Sequence, residues 1–491
     1  MRAACAPIVV ALVVAIALAL AYPTGAQAAP VLVMGPGGHV TARQDRFVPA
    51  GEPTPAPNAV RATAAAARSA KARKPPQKTV TSELKRLRNS GAITTADYSS
   101  YNSDWNAALA AEHRLRGTRL RELEAVTVNI HNIAAAGKLT PGRLPVLFQT
   151  LDRNREWWTT GPLLSSGQYV EFSDSDLVWE YYAGQGIELQ VLGTFGKADG
   201  MYTAGPSEYS QLETLLSQMI PLAVNRAGGL VWEYYFQFGG GKPPWTSAMS
   251  QGTGIEALTR AYLASHNPNY LQLAHEALPV FTARPPAGVR VTTPVGARYV
   301  QYTFTPGTSI INAFLQSLIG LYDYAQTSGD PLAEQLFAAG NAEAESEVPQ
   351  FDTGAWSLYQ PGIEDTLSYH ELVTGFLQQL CTRTQAPVYC VTAQHFTAYL
   401  TTPPALRLLT AHVRRGKAAS IAFRLSKVSR VGIVVIGPGG HTLFSTSASF
   451  GYGSRSFTVP ALKHKGTYTI HMSATDLAGN FSRIVGTIQV S

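Results

Sequence analysis

The sequence predicts a multidomain, mainly helical protein: a helical barrel of the α/α-toroid kind over residues 81–404, followed by an all-β sandwich over 405–491. Three observations carry this expectation. Apolar residues recur at helical spacing through the middle of the chain, as at Ile311, Phe314, Leu315, Leu318 and Tyr322, which share one helix face. The string LVWEYY occurs twice, at Leu177–Tyr182 and at Leu230–Tyr235. Past residue 405 the texture changes to short alternating runs separated by turn residues.

The elements follow in chain order. Arg2 precedes an apolar run, PIVVALVVAIALALA, and then the small-residue step Ala26, Gln27, Ala28. A charged start, an apolar stretch and an A-x-A site read as a secretory signal over residues 1–28. The chain is therefore expected to be secreted or associated with the cell envelope. An uncleaved anchor is the rival reading, and the apolar run is short for a span. Residues 29–80 are rich in Ala, Pro, Arg and Lys, and nine basic residues face one acid between Arg61 and Arg88. We read this segment as a disordered basic stalk; the same charge would also suit a nucleic-acid or membrane surface.

Helical signals begin with LKRLR and LRELEAVTVNIHNIAAAG. Asp330 and Pro331 set an N-cap and an N1 proline before LAEQLFAAG, and Gly329 closes the helix before it. Each LVWEYY copy is followed by a Gln-Gly step and an amphipathic run, Gln185-Gly186-Ile187-Glu188 and Gln251-Gly252 with Ile255 and Glu256. A repeat at about 50 residues suggests a helical hairpin used more than once, and such hairpins can close into a toroid with one polymer-sized mouth. Beyond 405, SIAFRLS, VGIVVIG, SRSFTVP, TYTIHMSA and IVGTIQV have sandwich spacing, and DLAGN at Asp476–Asn480 resembles the late turn of bacterial Ig-like and fibronectin-like modules. The string GPGGH occurs at Gly35–His39 and Gly437–His441, each after a β-like run, where a hairpin turn would suit it.

Composition narrows the function. Of 491 residues, 45% are apolar, enough for a large core, and only 14% are charged. The net charge is +7, with 22 Tyr and 7 Trp, a balance better suited to sugars than to coating nucleic acid. Of three cysteines, Cys5 lies in the leader, leaving Cys381 and Cys390 as an even pair in an exported chain. They are expected to form a disulfide worth roughly 2–3 kcal/mol. No zinc-binding HExxH, CxxC pair, G-x-S-x-G elbow or phosphate-cradling loop occurs, so no cofactor or metal is expected.

The chain does offer tyrosines bordered by glycine and proline. Tyr302 precedes a helix in YVQYTFTPGTSIINAF, Tyr359 ends FDTGAWSLY, and Tyr369 is followed by His370 in LSYHELV. Tyrosine stacks on sugar rings, and its hydroxyl can give or take a proton. Taken singly, each such tyrosine is as easily a packing residue with a satisfied hydroxyl.

The strings Trp245–Ser265, Tyr299–Tyr324 and Val348–His370 resemble, in order, the C-terminal catalytic region of the D-glucuronyl C5-epimerases, enzymes of heparan and heparosan. The resemblance implies a helical barrel and a reaction that inverts C5 of a uronic acid within an acidic polysaccharide. It implies three catalytic tyrosines, matched by Tyr302, Tyr359 and Tyr369, with Asn312 on the following helix. For the sugar-binding wall we add Gln301, His370, Trp179, Tyr182, Trp245 and Gln251; core packing is the rival for each. The partner implied is that polysaccharide, not nucleic acid, with wall or envelope contact through the stalk or the sandwich.

Two positions depart from the family pattern. The glutamate expected immediately before the first tyrosine is Gln301, which cannot ionise, and the arginine expected after the second is missing, Tyr359 being followed by Gln360, Pro361 and Gly362. Arg298, Arg153 or Arg383 could stand in for it. Two other readings share the cleft: a polysaccharide lyase, which begins with the same C5 deprotonation, and a non-catalytic polysaccharide-binding protein that has lost its base.

Overall fold

In the computed structural model of the chain, residues 28–49 and 78–491 are described. The expected leader and most of the basic stalk lie outside the described residues. The start of the stalk does not: residues 28–49 form strands β1 (Ala28–Met34) and β2 (Val40–Pro49), an antiparallel hairpin. This corrects the expectation of disorder from residue 29. Local alternation outweighs the composition of the wider segment, because Val31 and Val48 bury together against Val178.

Helices α1 (Val80–Asn89), α2 (Thr95–Arg114), α3 (Gly117–Ala135) and α4 (Leu144–Thr160) come next. Strands β3 (Tyr169–Phe172), β4 (Trp179–Tyr182) and β5 (Gly186–Leu189) complete a sheet of order β2-β1-β3-β4-β5. One sheet face is apolar and packs on α4: Phe172 meets Trp157 edge-on and Tyr181 meets Trp158 edge-on. The other face carries Tyr169, Glu180 and Glu188 in one cross-strand row, with Tyr182 two residues along β4.

The first LVWEYY copy therefore lies on a strand, and Gly186–Leu189 continues as a strand rather than a helix. In the second copy, Leu230 and Val231 pair with Asn225 and Val224, and Tyr234 bridges to Trp245. The repeat is a strand entering a helix, not a helical hairpin: α5 (Val191–Ala204) follows the first copy and α7 (Ala248–Ser265) the second.

From α5 onward the helices pair. α6 (Tyr209–Met219), α8 (Asn269–Glu276), α10 (Pro331–Glu347) and α12 (Pro387–Tyr399) alternate with α7, α9 (Ile311–Ser328) and α11 (Leu367–Thr384). α5 packs on α7, α7 on α9, and α9 on α11, which makes a row of inner helices. Glycines let α7 and α9 touch backbone to backbone: a Cβ on Gly320 would lie 2.0 Å from the Gly252 carbonyl oxygen. The turn between α9 and α10 forms as its residues dictate, with Gly329 left-handed at φ 67° and the Asp330 carboxylate accepting from the N–H groups of Leu332 and Ala333. The Cys381–Cys390 disulfide joins α11 to α12.

Residues 406–490 form two facing sheets, one of three strands and one of five, over a shared core that includes Phe423, Ile433, Tyr468 and Ile470. Both GPGGH strings are hairpin turns closed by the same bond, from Gly35 N–H to His39 O at 2.8 Å and from Gly437 N–H to His441 O at 3.0 Å. The β-region is bolted to the helices. Glu364 accepts from the N–H groups of Val428 and Tyr452, each at 2.7 Å. Buried Lys427 pairs with Asp476 at 2.6 Å, donates to the Tyr399 carbonyl and lies over Trp356.

Candidate functional site

The three singled-out tyrosines come together although up to 67 residues separate them in the chain, from Tyr302 to Tyr369. Tyr302 follows a short hairpin (290–292 with 297–299) and is held to the start of α7 by paired bonds between Thr303 and Thr246, both 3.2 Å. Tyr359 lies on a short strand after a tight turn. Tyr369 is in the first turn of α11, where Thr366 caps the helix by accepting from its N–H. The rings of Tyr359 and Tyr369 meet edge-on at 5.1 Å. Burial, and then proximity to Tyr359 and Tyr369, pushes the Tyr302 hydroxyl well above its ordinary range; burial pushes Tyr359 up as well. Both are therefore neutral at physiological pH. The Tyr302 and Tyr359 hydroxyls are near enough to perturb each other, yet neither has a partner in hydrogen-bond geometry among the described residues. The Oδ1 atom of Asn312, in the first turn of α9, is likewise unpartnered.

A rigid platform backs Tyr359 and Tyr369. His370 is fully buried, stacked on Trp356 at 3.8 Å. Its Nε2–H donates to the Phe396 carbonyl at 2.9 Å. Its Nδ1 therefore accepts, from the Ser357 N–H at 3.3 Å and the Ser357 hydroxyl at 2.7 Å. The Ser357 oxygen also touches Asp365. With its one proton committed to the histidine, Ser357 requires the proton of that contact from Asp365. Burial pushes Asp365 up to about 7 and His370 down to about 4, in keeping with a protonated acid and a neutral imidazole.

This reassigns several expected wall residues. His370 cannot reach a sugar; it is part of the platform. Trp179 is fully buried against Phe172, and buried Gln251 donates to the Trp232 carbonyl and Thr246. Trp245 stacks on Tyr234 at 4.3 Å and backs the Tyr302 ring from 5.8 Å. Gln301 is buried and accepts a long bond, 3.4 Å, from Ser247. Tyr182 is half-buried and stacked on Phe236. Half-buried Phe238 touches both Tyr182 and Tyr302, and so links the strand wall to the tyrosine cluster.

None of the three arginines expected to stand in at the carboxylate clamp is unengaged. Arg298 pairs with Glu347 and Glu343, Arg153 with Asp174, and Arg383 with Asp323. A surface hollow lined by Asp352, Val388, His395 and Tyr399 lies along α12 and contains none of the three tyrosines. No group of three or more metal-ligating side chains occurs among the described residues.

Sequence reading passed over Tyr169, Glu180, Glu188 and Gln190. Glu180 stood inside the repeated string, but there the aromatics drew attention; only the strand register puts the two glutamates opposite each other.

Residues 228–398 match the family model of the D-glucuronyl C5-epimerase C-terminus. A D-glucuronyl C5-epimerase of Caenorhabditis elegans is 37% identical over 130 residues, 24% of this chain and 21% of that protein. An uncharacterized protein of Methanocaldococcus jannaschii is 25% identical over 137 residues, 44% of its length. The chain thus spans about a fifth and under half of these relatives. Among solved structures, the cellobiose 2-epimerase of Spirochaeta thermophila aligns over 58% of this chain and 73% of its own, at 13% identity and a TM-score of 0.33. The GH76 α-mannanase BT2949 of Bacteroides thetaiotaomicron aligns over 43% of this chain and 59% of its own, at 13% identity and a TM-score of 0.32. At these scores the likenesses carry no argument.

Proposed function

We propose that this protein is a C5-epimerase of a polymer-linked uronic acid, with Tyr302, Tyr359 and Tyr369 in its proton-transfer machinery. The observation that carries the reading is the convergence of these three tyrosines, two with unpartnered hydroxyls, inside the segment that matches the epimerase family. The C5–H beside a carboxylate is a very weak acid. Inversion needs a base on one face of the ring, an acid on the other, and donors for the charge that develops on the carboxylate. Neutral phenols in a water-poor site suit the acid and donor roles: each supplies a proton or a hydrogen bond without bringing a second negative charge. The helical row is read as the wall of a toroid, with the polymer lying across its mouth. The substrate is an acidic polysaccharide outside the cell, in keeping with the leader-like start of the sequence.

The test is solvent exchange at C5. The purified protein is incubated with heparosan and other uronic-acid polymers in D₂O, and the C5 proton is followed by NMR. The expected result is deuterium at C5 with the chains intact. Exchange accompanied by unsaturated, ultraviolet-absorbing ends would make the protein a lyase. A polymer that binds without exchange would make it a binding module.

A further inference from the structure

Gln301, Tyr302 and Tyr359 supply acids and donors but no ready base. Gln301 cannot ionise, and burial raises the Tyr302 and Tyr359 hydroxyls, which weakens the case for either as a ground-state tyrosinate. A carboxylate is needed, and the polar face of the β3–β5 sheet holds two. Glu180 and Glu188 lie opposite each other in the β4–β5 ladder, 4% and 3% exposed. Like charges directly opposite in a sheet are unfavourable, and more so when buried. No cation lies within salt-bridge distance of either among the described residues.

The second copy of the repeat shows what a structural glutamate looks like in this protein. Glu233 holds the position of Glu180 in LVWEYY, and it is gripped by Arg143 at 2.7 and 3.0 Å and by Arg226 at 2.7 Å. Among the described residues Glu180 instead accepts only from neutral donors: the Tyr182 hydroxyl at 2.8 Å and the Gln190 amide at 2.8 Å. Gln190 also donates to the Tyr182 oxygen at 2.9 Å, which closes a triangle and fixes the direction of the Tyr182 proton toward Glu180. The groups facing this triangle are Tyr169 from β3, Glu188 from β5 and Tyr234 from the second copy. Phe238 lies against both the Tyr182 ring, at 6.1 Å between ring centres, and the Tyr302 ring, at 5.6 Å, which ties the triangle to the tyrosine cluster. The triangle is pinned from behind: the Glu122 carboxylate accepts from the N–H groups of Gly184 and Gly186, and the Asn154 amide brackets Ile187.

We propose that Glu180 is the carboxylate that drives proton abstraction, acting through Tyr182, and that it does the work a glutamate at position 301 would do. The inference rests on the epimerase reading above. In the step, the Tyr182 oxygen takes the C5 proton as its own phenolic proton passes to Glu180. The C5–H electron pair moves into the uronate carboxyl group as an enediolate. A tyrosine hydroxyl of the Tyr302–Tyr359–Tyr369 cluster returns a proton to C5 from the other face and is left as a tyrosinate; Glu180 then releases its added proton to water and the tyrosinate takes one from water, which restores both walls. Burial raises both carboxyls, but the Gln190 and Tyr182 bonds oppose the rise at Glu180, whereas Glu188 has no hydrogen-bond partner among the described residues to offset it; Glu188 is therefore the member that keeps its proton, and the pair carries one negative charge. Glu180, Tyr182 and Glu188 all lie outside the segment that matches the family.

The experiment measures C5 exchange in D₂O for the full-length wild type, Glu180→Gln, Glu180→Asp and Tyr182→Phe. The expected result is a loss of at least about 100-fold in kcat for Glu180→Gln and Tyr182→Phe with KM little changed. Partial rescue is expected in Glu180→Asp, as is loss of the acid limb of the pH profile in Glu180→Gln. Tyr182→Phe keeps the buried carboxylate and so still reads the relay if Glu180→Gln does not fold. Wild-type exchange that persists in either variant, or a raised KM at unchanged kcat, overturns the assignment of Glu180 alone. Absence of exchange in the wild type on every uronic-acid polymer overturns the epimerase reading and this proposal with it.

Discussion

Removing the hydroxyl of Tyr302 or Tyr359 is expected to make the protein more stable and less active. Both rings are buried, at 2% and 4% exposure, and both hydroxyls lack a hydrogen-bond partner among the described residues. A buried hydroxyl left unpaired costs about 1–3 kcal/mol relative to water, whereas the phenylalanine ring fills the same space without that penalty. Tyr302→Phe and Tyr359→Phe should therefore each raise stability by about 1 kcal/mol, or about 2 °C in Tm. The internal control is Tyr299, 1% exposed, whose hydroxyl donates to the Leu336 carbonyl at 2.7 Å. Tyr299→Phe deletes a made bond and strands an acceptor, so it should lower stability by about 1 kcal/mol. The assay is thermal unfolding of the three variants alongside C5 exchange. Opposite signs of ΔTm, with exchange lost only in the Tyr302 and Tyr359 variants, are expected. A fall in Tm for Tyr302→Phe or Tyr359→Phe as large as that for Tyr299→Phe would refute the reasoning, because it would mean those hydroxyls are satisfied within the fold.

Two further outcomes are expected. Gly320→Ala puts a Cβ 2.0 Å from the Gly252 carbonyl oxygen, so α7 and α9 must part; the overpacking should exceed the gain in helix propensity by about 1–2 kcal/mol. Gly196→Ala, in α5 with nothing within 4 Å of the new Cβ, should instead stabilise by about 0.5–1 kcal/mol, and denaturant midpoints compare the two. Asp365 has its folded-state value raised to about 7, so the folded protein holds this proton more tightly than the unfolded chain. Its contribution is present in full below about pH 4 and is lost as pH rises toward 7. Asp365→Asn, which can still donate to Ser357, should flatten the decline in stability over that range; an unchanged pH profile of Tm would show that Asp365 is not the protonated member of the network.

Much of this molecule can be read from local pattern. The cap at Asp330, the stop at Gly329, the alternation past residue 405, the GPGGH turns and the cysteine pair all depend on neighbours within a few residues, and backbone sterics and capping act at that range. The tyrosines could be picked out because they fall on distinctive strings. Tertiary structure alone decided the rest. Whether a Trp-Glu-Tyr-Tyr run becomes strand, wall or core depends on what packs against it: Trp179 went inside, Glu233 met two arginines, and Glu180 met a tyrosine and a glutamine. The same holds for His370, whose neighbours Trp356 and Ser357 precede it by 13 residues or more yet bury it completely. A titratable side chain takes its role from the charges and donors brought to it across the fold, and sequence spacing does not report those distances.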